Sequence, residues 1–260
     1  MLDEDPIYAL RLATDANDLR AAQRLRYRVF VQELGADGPL VDHAQGLERD
    51  EFDPLFDHLI LVDQRLDPAG GNHVVGAYRL LPSTRLGPDG RFYSEAEYDL
   101  TRLRASGRRL VELGRSCVDP DHRGGTGMFH LWNGLAEYVL ERGIEILFGV
   151  ASFHGTDVPA LAPQLAWLHH NHLAPPDMRV TARPPGRVDM NLIPVNRLDR
   201  KAAMAGMPAL IKAYLRLGGC VGDGAYLDRP FNTTDVCLVM DTGRMSAKHR
   251  DFYLRKKGPA

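Results

Sequence analysis

Residues 111–127 read VELGRSCVDPDHRGGTG and run directly into MFHLW. A stretch of strand character carries a glutamate, an arginine, a serine and a cysteine, passes through a turn with three glycines, and opens into an amphipathic helix. This order limits the possible folds more than any other feature of the chain. Glycine lets the backbone approach a ligand closely, and a helix N-terminus presents unpaired N–H groups at the positive end of its dipole. Strand, turn and helix together make an anion cradle. No Gly-Lys-Ser/Thr follows, which excludes a P-loop, and the Rossmann glycine spacing is absent as well.

The flanking pattern supplies the rest of the architecture. Residues 8–13 read as a strand and 15–34 as a helix, with Thr14, Asp15 and Asn17 available as caps and Gly35 as a stop. Residues 41–54 are irregular and acidic. Strands at 58–63 and 73–81 flank a Pro/Gly/Asn turn and predict a hairpin. A short helix at 95–106 precedes the strand at 110–118. A helix at 128–142, with Met128, Leu131, Leu135 and Val139 on one face, leads to an apolar strand at 144–152. Helices at 159–173 and 208–217 and strands at 187–193 and 235–241 complete the chain. The Pro-rich stretch at 173–186 reads as a loop. Strands alternating with helices after an antiparallel start predict an α/β fold around a mixed central sheet. We expect a single domain over 1–260, with an extended C-terminal part from about 153.

Composition narrows the function classes. A formal net charge of −2 creates no general attraction for nucleic acid, so no nucleic-acid partner is expected. Cys117, Cys220 and Cys237 are odd in number and far apart, which argues against a disulfide framework and for a reducing compartment. The N-terminus MLDEDPIYAL is acidic where a secretory signal is basic, and no window nears the ~20 apolar residues of a membrane span. The expected location is the cytoplasm, with attachment to the inner face of the membrane as an extension of that reading. The basic, aromatic tail KHRDFYLRKK and the stripe of Leu210, Ala213, Tyr214 and Leu217 on the 208–217 helix make a membrane surface a candidate partner, although packing on the sheet explains the stripe equally.

The order of helix, hairpin, polar strand, glycine turn, amphipathic helix and apolar strand resembles the GNAT acyltransferase fold, whose splayed parallel strands admit the pantetheine arm of a thioester donor. The superfamily's loop runs Arg/Gln-x-x-Gly-x-Gly/Ala. With Gly125 and Gly127 in the glycine places, His122 takes the Arg/Gln place and Arg123 is displaced by one. That departure implies a donor on acyl carrier protein, whose pantetheine ends in a single phosphate, and no tightly bound cofactor. Arg26 and Phe30, the run ERDEFD at 48–53, Arg79, Glu112 and Arg115 stand in the order of the acyl-homoserine-lactone synthases, without their tryptophan after the first helix. ELGRSCV, with ASFHGTD, AWLHHNHLAPP, RVDMNLIP, YLRLGGCVGDGA and TTDVCLVM downstream, resembles the L-ornithine Nα-acyltransferases from Leu10 to about Met240. The resemblance implies transfer of a 3-hydroxyacyl group from acyl carrier protein to the α-amine of L-ornithine, giving lyso-ornithine lipid. An acyl-homoserine-lactone synthase using S-adenosylmethionine and a non-catalytic acyl-carrier-binding module are the alternatives.

Aminolysis of a thioester requires that the amine lose a proton, that the tetrahedral oxyanion find donors, and that a thiolate leave. Glu112, a carboxylate between apolar neighbours in a strand, is the candidate for the amine proton; a structural ion pair with Arg115 or Arg79 is the competing explanation. A bulge near Gly114 would bring Glu112 and Arg115 to one face and free an N–H for the oxyanion. Ser116 is a candidate hydroxyl donor, and Cys117 is expected to be buried packing. Arg26, Phe30, Asp50, Asp53 and Arg79 are the expected acceptor-binding residues, with arginine for the carboxylate end and aspartate for the amine end. Gly114, Cys117, Val118, Arg123, Gly124, Gly125 and Gly127 are the expected donor-binding set. His169 and His172 can share a helix face, but no third ligand stands with them and no metal is expected. The clustered Arg102, Arg104, Arg108 and Arg109 offer a docking surface for the acidic carrier.

Overall fold

The Asp15 carboxylate accepts hydrogen bonds from the N–H groups of Asn17 and Asp18 at 2.8 and 2.9 Å, and helix α1 (Ala16–Arg26) starts there. The side chain supplies the acceptor that a first helical turn lacks. A wide π-type turn, Tyr27–Glu33, extends the helix to Gly35, whose φ of +73° ends it as the sequence predicts. These features belong to a computed structural model describing residues 7–124 and 126–244.

Strand β1 (Tyr8–Leu12) precedes α1, and β2 (Asp57–Asp63) and β3 (Val74–Pro82) follow it. Next come β4 (Tyr98–Asp99), α2 (Thr101–Ala105), β5 (Leu110–Val118), α3 (Gly127–Glu141) and β6 (Ile146–His154). The remainder holds α4 (Val158–His172), β7 (Thr181–Ala182), β8 (Arg187–Val188), α5 (Arg200–Ala205), α6 (Ala209–Arg216), β9 (Cys220–Val221), β10 (Ala225–Asp228) and β11 (Thr233–Asp241). The chain divides into two compact units, each built from separated segments: residues 7–85 with 113–143, and 86–112 with 144–244. Strand β5 begins in the second unit and finishes in the first.

In the first unit β1, β2 and β3 form an antiparallel meander, and β5 neighbours β3. Helix α1 packs Ala21, Ala22 and Leu25 against Ile60, Val62, Val74 and Ala77, with Cys117 in the same cluster. Helix α3 lies so close to β1 that a Cβ on Gly134 would stand 2.4 Å from Leu10 Cδ2, so a larger residue there would have to push the Leu10 side chain aside.

In the second unit β5 pairs β6 in parallel through Leu110–Ile146, Val111–Leu147 and Glu112–Phe148, whereas β6 pairs β11 antiparallel along all nine of its residues. Strand β11 also carries β10 and β9, and β10 carries β8. The sheet is therefore mixed, and the parallel register ends at Glu112.

Two expectations need correction. The helix expected at 95–106 is broken into a turn at Tyr93–Ala96, strand β4 and the short α2. Tyr98 is fully buried, and its hydroxyl donates to the Asp235 and Gly224 carbonyls at 2.9 and 3.2 Å while β4 pairs with β7. Tertiary burial thus overrides the local helical pattern. The strand expected at 187–193 stops at Val188, because the Asp189 side chain accepts the Asn191 N–H at 2.8 Å and closes a turn.

Candidate active site

Arg26 lies on the last turn of α1, and the acidic stretch that follows folds onto it. Leu47, Phe52 and Phe56 are buried and anchor this stretch, so Glu48, Asp50 and Asp53 are drawn into the first unit's interior. Arg26 Nε contacts Glu48 Oε2 at 2.5 Å, Nη1 and Nη2 hold both Asp53 oxygens at 2.7 and 2.9 Å, and Nη2 also donates to the Glu48 carbonyl at 2.6 Å. Arg79 Nη1 is shared between Asp50 and Asp53 at 2.8 Å, and its guanidinium stacks 4.5 Å from the Phe56 ring. Arg115 Nε reaches Glu48 Oε1 at 3.2 Å, and its Nη2 lies 3.7 Å from Asp50 Oδ2. Three guanidinium groups and three carboxylates thus form one continuous, formally neutral network.

The network is graded by depth. The side chains of Arg26, Arg79, Glu48 and Asp53 are no more than 4% exposed, whereas Arg115 is 11% and Asp50 18% exposed. Burial pushes the Glu48 carboxyl up, but the charges of Arg26, Arg115 and Arg79 outweigh it and leave it at about 2. Asp53 is held well below the usual carboxylate range by the same balance. His58 is buried, its Nε2 donating to the Asp53 carbonyl at 2.9 Å, and burial lowers its pKa. Phe30 is partly buried, with the Arg115 guanidinium 6.0 Å from its ring centroid.

In β5, Arg115 has a φ of +53°. The irregularity expected near Gly114 falls on this residue instead, at a backbone cost of about 1–2 kcal/mol. Ser116 Oγ is buried and has no hydrogen-bond partner among the described residues. Cys117 is fully enclosed, and burial pushes its thiol up to about 12, so it is packing and not a thiolate. Val118 is buried, and its carbonyl accepts Arg123 Nε at 3.0 Å. Gly124 takes a φ of +80° with open space around it, and a Cβ on Gly127 would meet the His122 carbonyl at 3.4 Å. Gly125 and the tail KHRDFYLRKK lie outside the described residues.

Glu112, in the second unit, is 1% exposed. Its Oε2 accepts the Tyr93 N–H at 2.8 Å, and its Oε1 accepts the Ser94 N–H at 2.6 Å and the Ser94 hydroxyl. Three donors offset the burial of the charge and fix the carboxylate's orientation. Neither Ser94 nor Glu48 was legible as a partner, because neither stands at a helical or strand spacing from the residue it touches.

Elsewhere in the second unit, Glu97, Asp228 and Asp235 place carboxylate oxygens within 4.8 Å of one another, a cluster that could hold a cation. His170 bonds the Ile193 carbonyl at 3.0 Å, and burial lowers the pKa of His172. Of the clustered arginines, Arg108 is held by Asp241 at 2.8 and 2.9 Å, Arg104 by Glu95, and Arg102 by the Pro176 carbonyl. Helix α6 buries Ile211 and Tyr214, and it packs on β11. Among the described residues no helix is long and apolar enough to cross a membrane.

Residues 25–133, which include the whole network and the glycine turn, match an acetyltransferase (GNAT) domain. The L-ornithine N(alpha)-acyltransferase of Rhodobacter capsulatus is 65% identical over 249 residues, spanning 96% of this chain and 95% of that protein. The chain belongs to the L-ornithine N(alpha)-acyltransferase family. It is an N-acyltransferase with a GNAT fold, as the strand–turn–helix order predicts. Among solved structures, an N-acyl amino acid synthase from uncultured soil microbes has a TM-score of 0.52 at 13% identity, covering 91% of this chain and 92% of its own. A coenzyme-A-dependent acyl-homoserine lactone synthase has a TM-score of 0.51 at 17% identity, covering 98% and 90%. Both share the fold with this N-acyltransferase.

Proposed function

We propose that the chain transfers a 3-hydroxyacyl group from the phosphopantetheine of acyl carrier protein to the α-amine of L-ornithine, giving lyso-ornithine lipid at a membrane surface. The observation that carries this reading is the graded ion network. Its enclosed members, Arg26, Glu48, Asp53 and Arg79, satisfy one another, and its open edge consists of Asp50 and Arg115. That edge offers one carboxylate and one guanidinium, which suits an acceptor bearing both ammonium and carboxylate groups. The relative in Rhodobacter capsulatus is named for L-ornithine, and this supports the choice of amino acid.

The amine nitrogen forms its bond to the thioester carbonyl, the C–S bond breaks, and the amine's proton ends on the departing thiolate. Glu112, three residues before Arg115 on the same strand, accepts or steers that proton directly or through a water. Its fixed orientation favours this, because proton transfer needs a group already in place. The Ser116 hydroxyl has no partner among the described residues and can donate to the oxyanion, together with N–H groups of residues 114–118. The high pKa of Cys117 speaks for direct transfer without an acyl-enzyme.

The test is mass spectrometry of products from 3-hydroxyacyl carrier protein with a panel of amines. The expected product is the ornithine amide. A lactone formed with S-adenosylmethionine would replace this reading with a synthase, and no product from any amine would replace it with a carrier-binding module.

A further inference from the structure

The turn that opens α3 contains two basic side chains, His122 and Arg123, between residues 119 and 127. Both are engaged within the first unit. His122 Nε2 lies 3.2 Å from Asp63 Oδ2, and its Nδ1 lies 3.7 Å from Asp119 Oδ1. Asp119 is itself held by Arg28 at 2.7 Å, and Asp63 by Arg65 at 2.6 Å. Arg123 forms a two-pronged pair with Glu33 at 2.6 and 2.7 Å. The basic side chains of the turn therefore already face carboxylates. A diphosphate brought to this turn would have to displace Glu33 from Arg123 while facing Asp119 and Asp121.

We propose that Glu33 and Asp119 are donor-specificity residues, Glu33 by holding Arg123 and Asp119 by placing its carboxylate at the turn, so that the turn accepts a pantetheine ending in one phosphodiester and disfavours coenzyme A with its diphosphate. The inference rests on the donor reading above and adds the residues that enforce it. Its logic is discrimination by an unfavourable encounter: carboxylates at the turn cost a singly charged phosphodiester little and a multiply charged nucleotide more. The N–H groups at the α3 N-terminus serve either donor equally.

The experiment measures kcat/KM with 3-hydroxyacyl carrier protein and with the same acyl group on coenzyme A, for the wild type, Glu33→Gln, Asp119→Asn and the double variant. Inhibition by free coenzyme A against acyl carrier protein is measured in parallel, with thermal melts as the folding control. Glu33 is 37% exposed, so Glu33→Gln leaves the fold intact. The ratio of the coenzyme A value to the carrier value should rise three- to tenfold for each single variant, and the inhibition constant for coenzyme A should fall by a similar factor. A wild type that prefers the carrier, with variants that melt normally and keep both its ratio and its inhibition constant, would overturn this inference and leave the donor reading standing. A wild type that uses the two donors equally would overturn both.

Discussion

Removing the buried centre of the ion network gives the most quantitative test of the structure. Arg26→Met conserves much of the side chain's volume but leaves Glu48 and Asp53 without their closest cation. The side chains of the three residues are 0%, 2% and 4% exposed, so water cannot take over. Breaking a buried pair by removing one partner costs about 3–5 kcal/mol. In a chain of this size that is a fall in Tm of roughly 6–20 °C, at about 2–4 °C per kcal/mol. The pH dependence carries the sharper signature. A Glu48 carboxyl held at about 2, against 4.5 when unperturbed, contributes about 3 kcal/mol of stability. Because the folded value is depressed, this contribution is fully present above the unfolded value of 4.5 and is lost as pH falls through about 2. In Arg26→Met burial dominates and the sign reverses, so protonating Glu48 relieves the variant. The gap between wild type and Arg26→Met should therefore be widest at pH 7–8 and shrink steadily on acidification below about pH 5. Melting curves from pH 8 to 4, with Arg26→Lys as the variant that keeps the charge and loses the fork, supply the measurement. A gap that stays constant over this range, or one below about 1 kcal/mol at pH 8, would refute the claim that Arg26 compensates these two carboxylates.

Glu112→Gln keeps the shape but loses basicity, so turnover should drop by about 10²–10⁴-fold, read from steady-state kinetics alongside a melt that stays near wild type. Ser94→Ala should lower kcat a few-fold with little change in KM, since it removes one of the three donors on the Glu112 carboxylate and keeps the two backbone ones; unchanged kcat would mean that the hydroxyl does not tune Glu112. Cys117→Ala should retain turnover within a few-fold, and the wild type should resist thiol alkylation at pH 8, because its thiol is pushed up to about 12. At position 115, the φ of +53° predicts that Arg115→Gly is more stable than Arg115→Ala by about 1 kcal/mol in chemical denaturation, the reverse of the usual order in a strand.

Long elements with a clear period were legible. Helix α3 and strand β5 appear within a residue of their expected bounds, because an amphipathic run of this length and a strand bounded by turn residues leave few alternatives. Strands β4, β7 and β9 have two residues each and were not legible, since two residues have no period. They form because their positions in the tertiary structure demand pairing, as the buried Tyr98 shows. The same limit applies to the site. Arg26, Asp50, Asp53 and Arg79 could be picked out as charges at telling positions, but a sequence does not say which guanidinium is already saturated. Depth separates Arg26, enclosed on every side, from Arg115 at the edge, and depth comes from Phe52, Phe56 and Leu47 drawing the acidic stretch inward.

That depth also bears on why such a network stands in the interior at all. Buried ion networks are poor sources of stability: well-packed apolar side chains of similar volume serve as well or better, since desolvating six charges offsets most of the attraction among them. What the network supplies instead is position. Arg79 is fixed by the Phe56 ring and by Asp53, so the Asp50 carboxylate that it grips through Nη1 cannot swing, and Glu48, fixed by Arg26, does the same for Arg115. The two groups at the open edge are thereby held with little conformational freedom left to lose when an amino acid binds. A left-handed Arg115 fits this picture, because its backbone cost is tolerated where the side chain has a fixed destination. The interior charges are the frame, and Asp50 and Arg115 are what the frame holds.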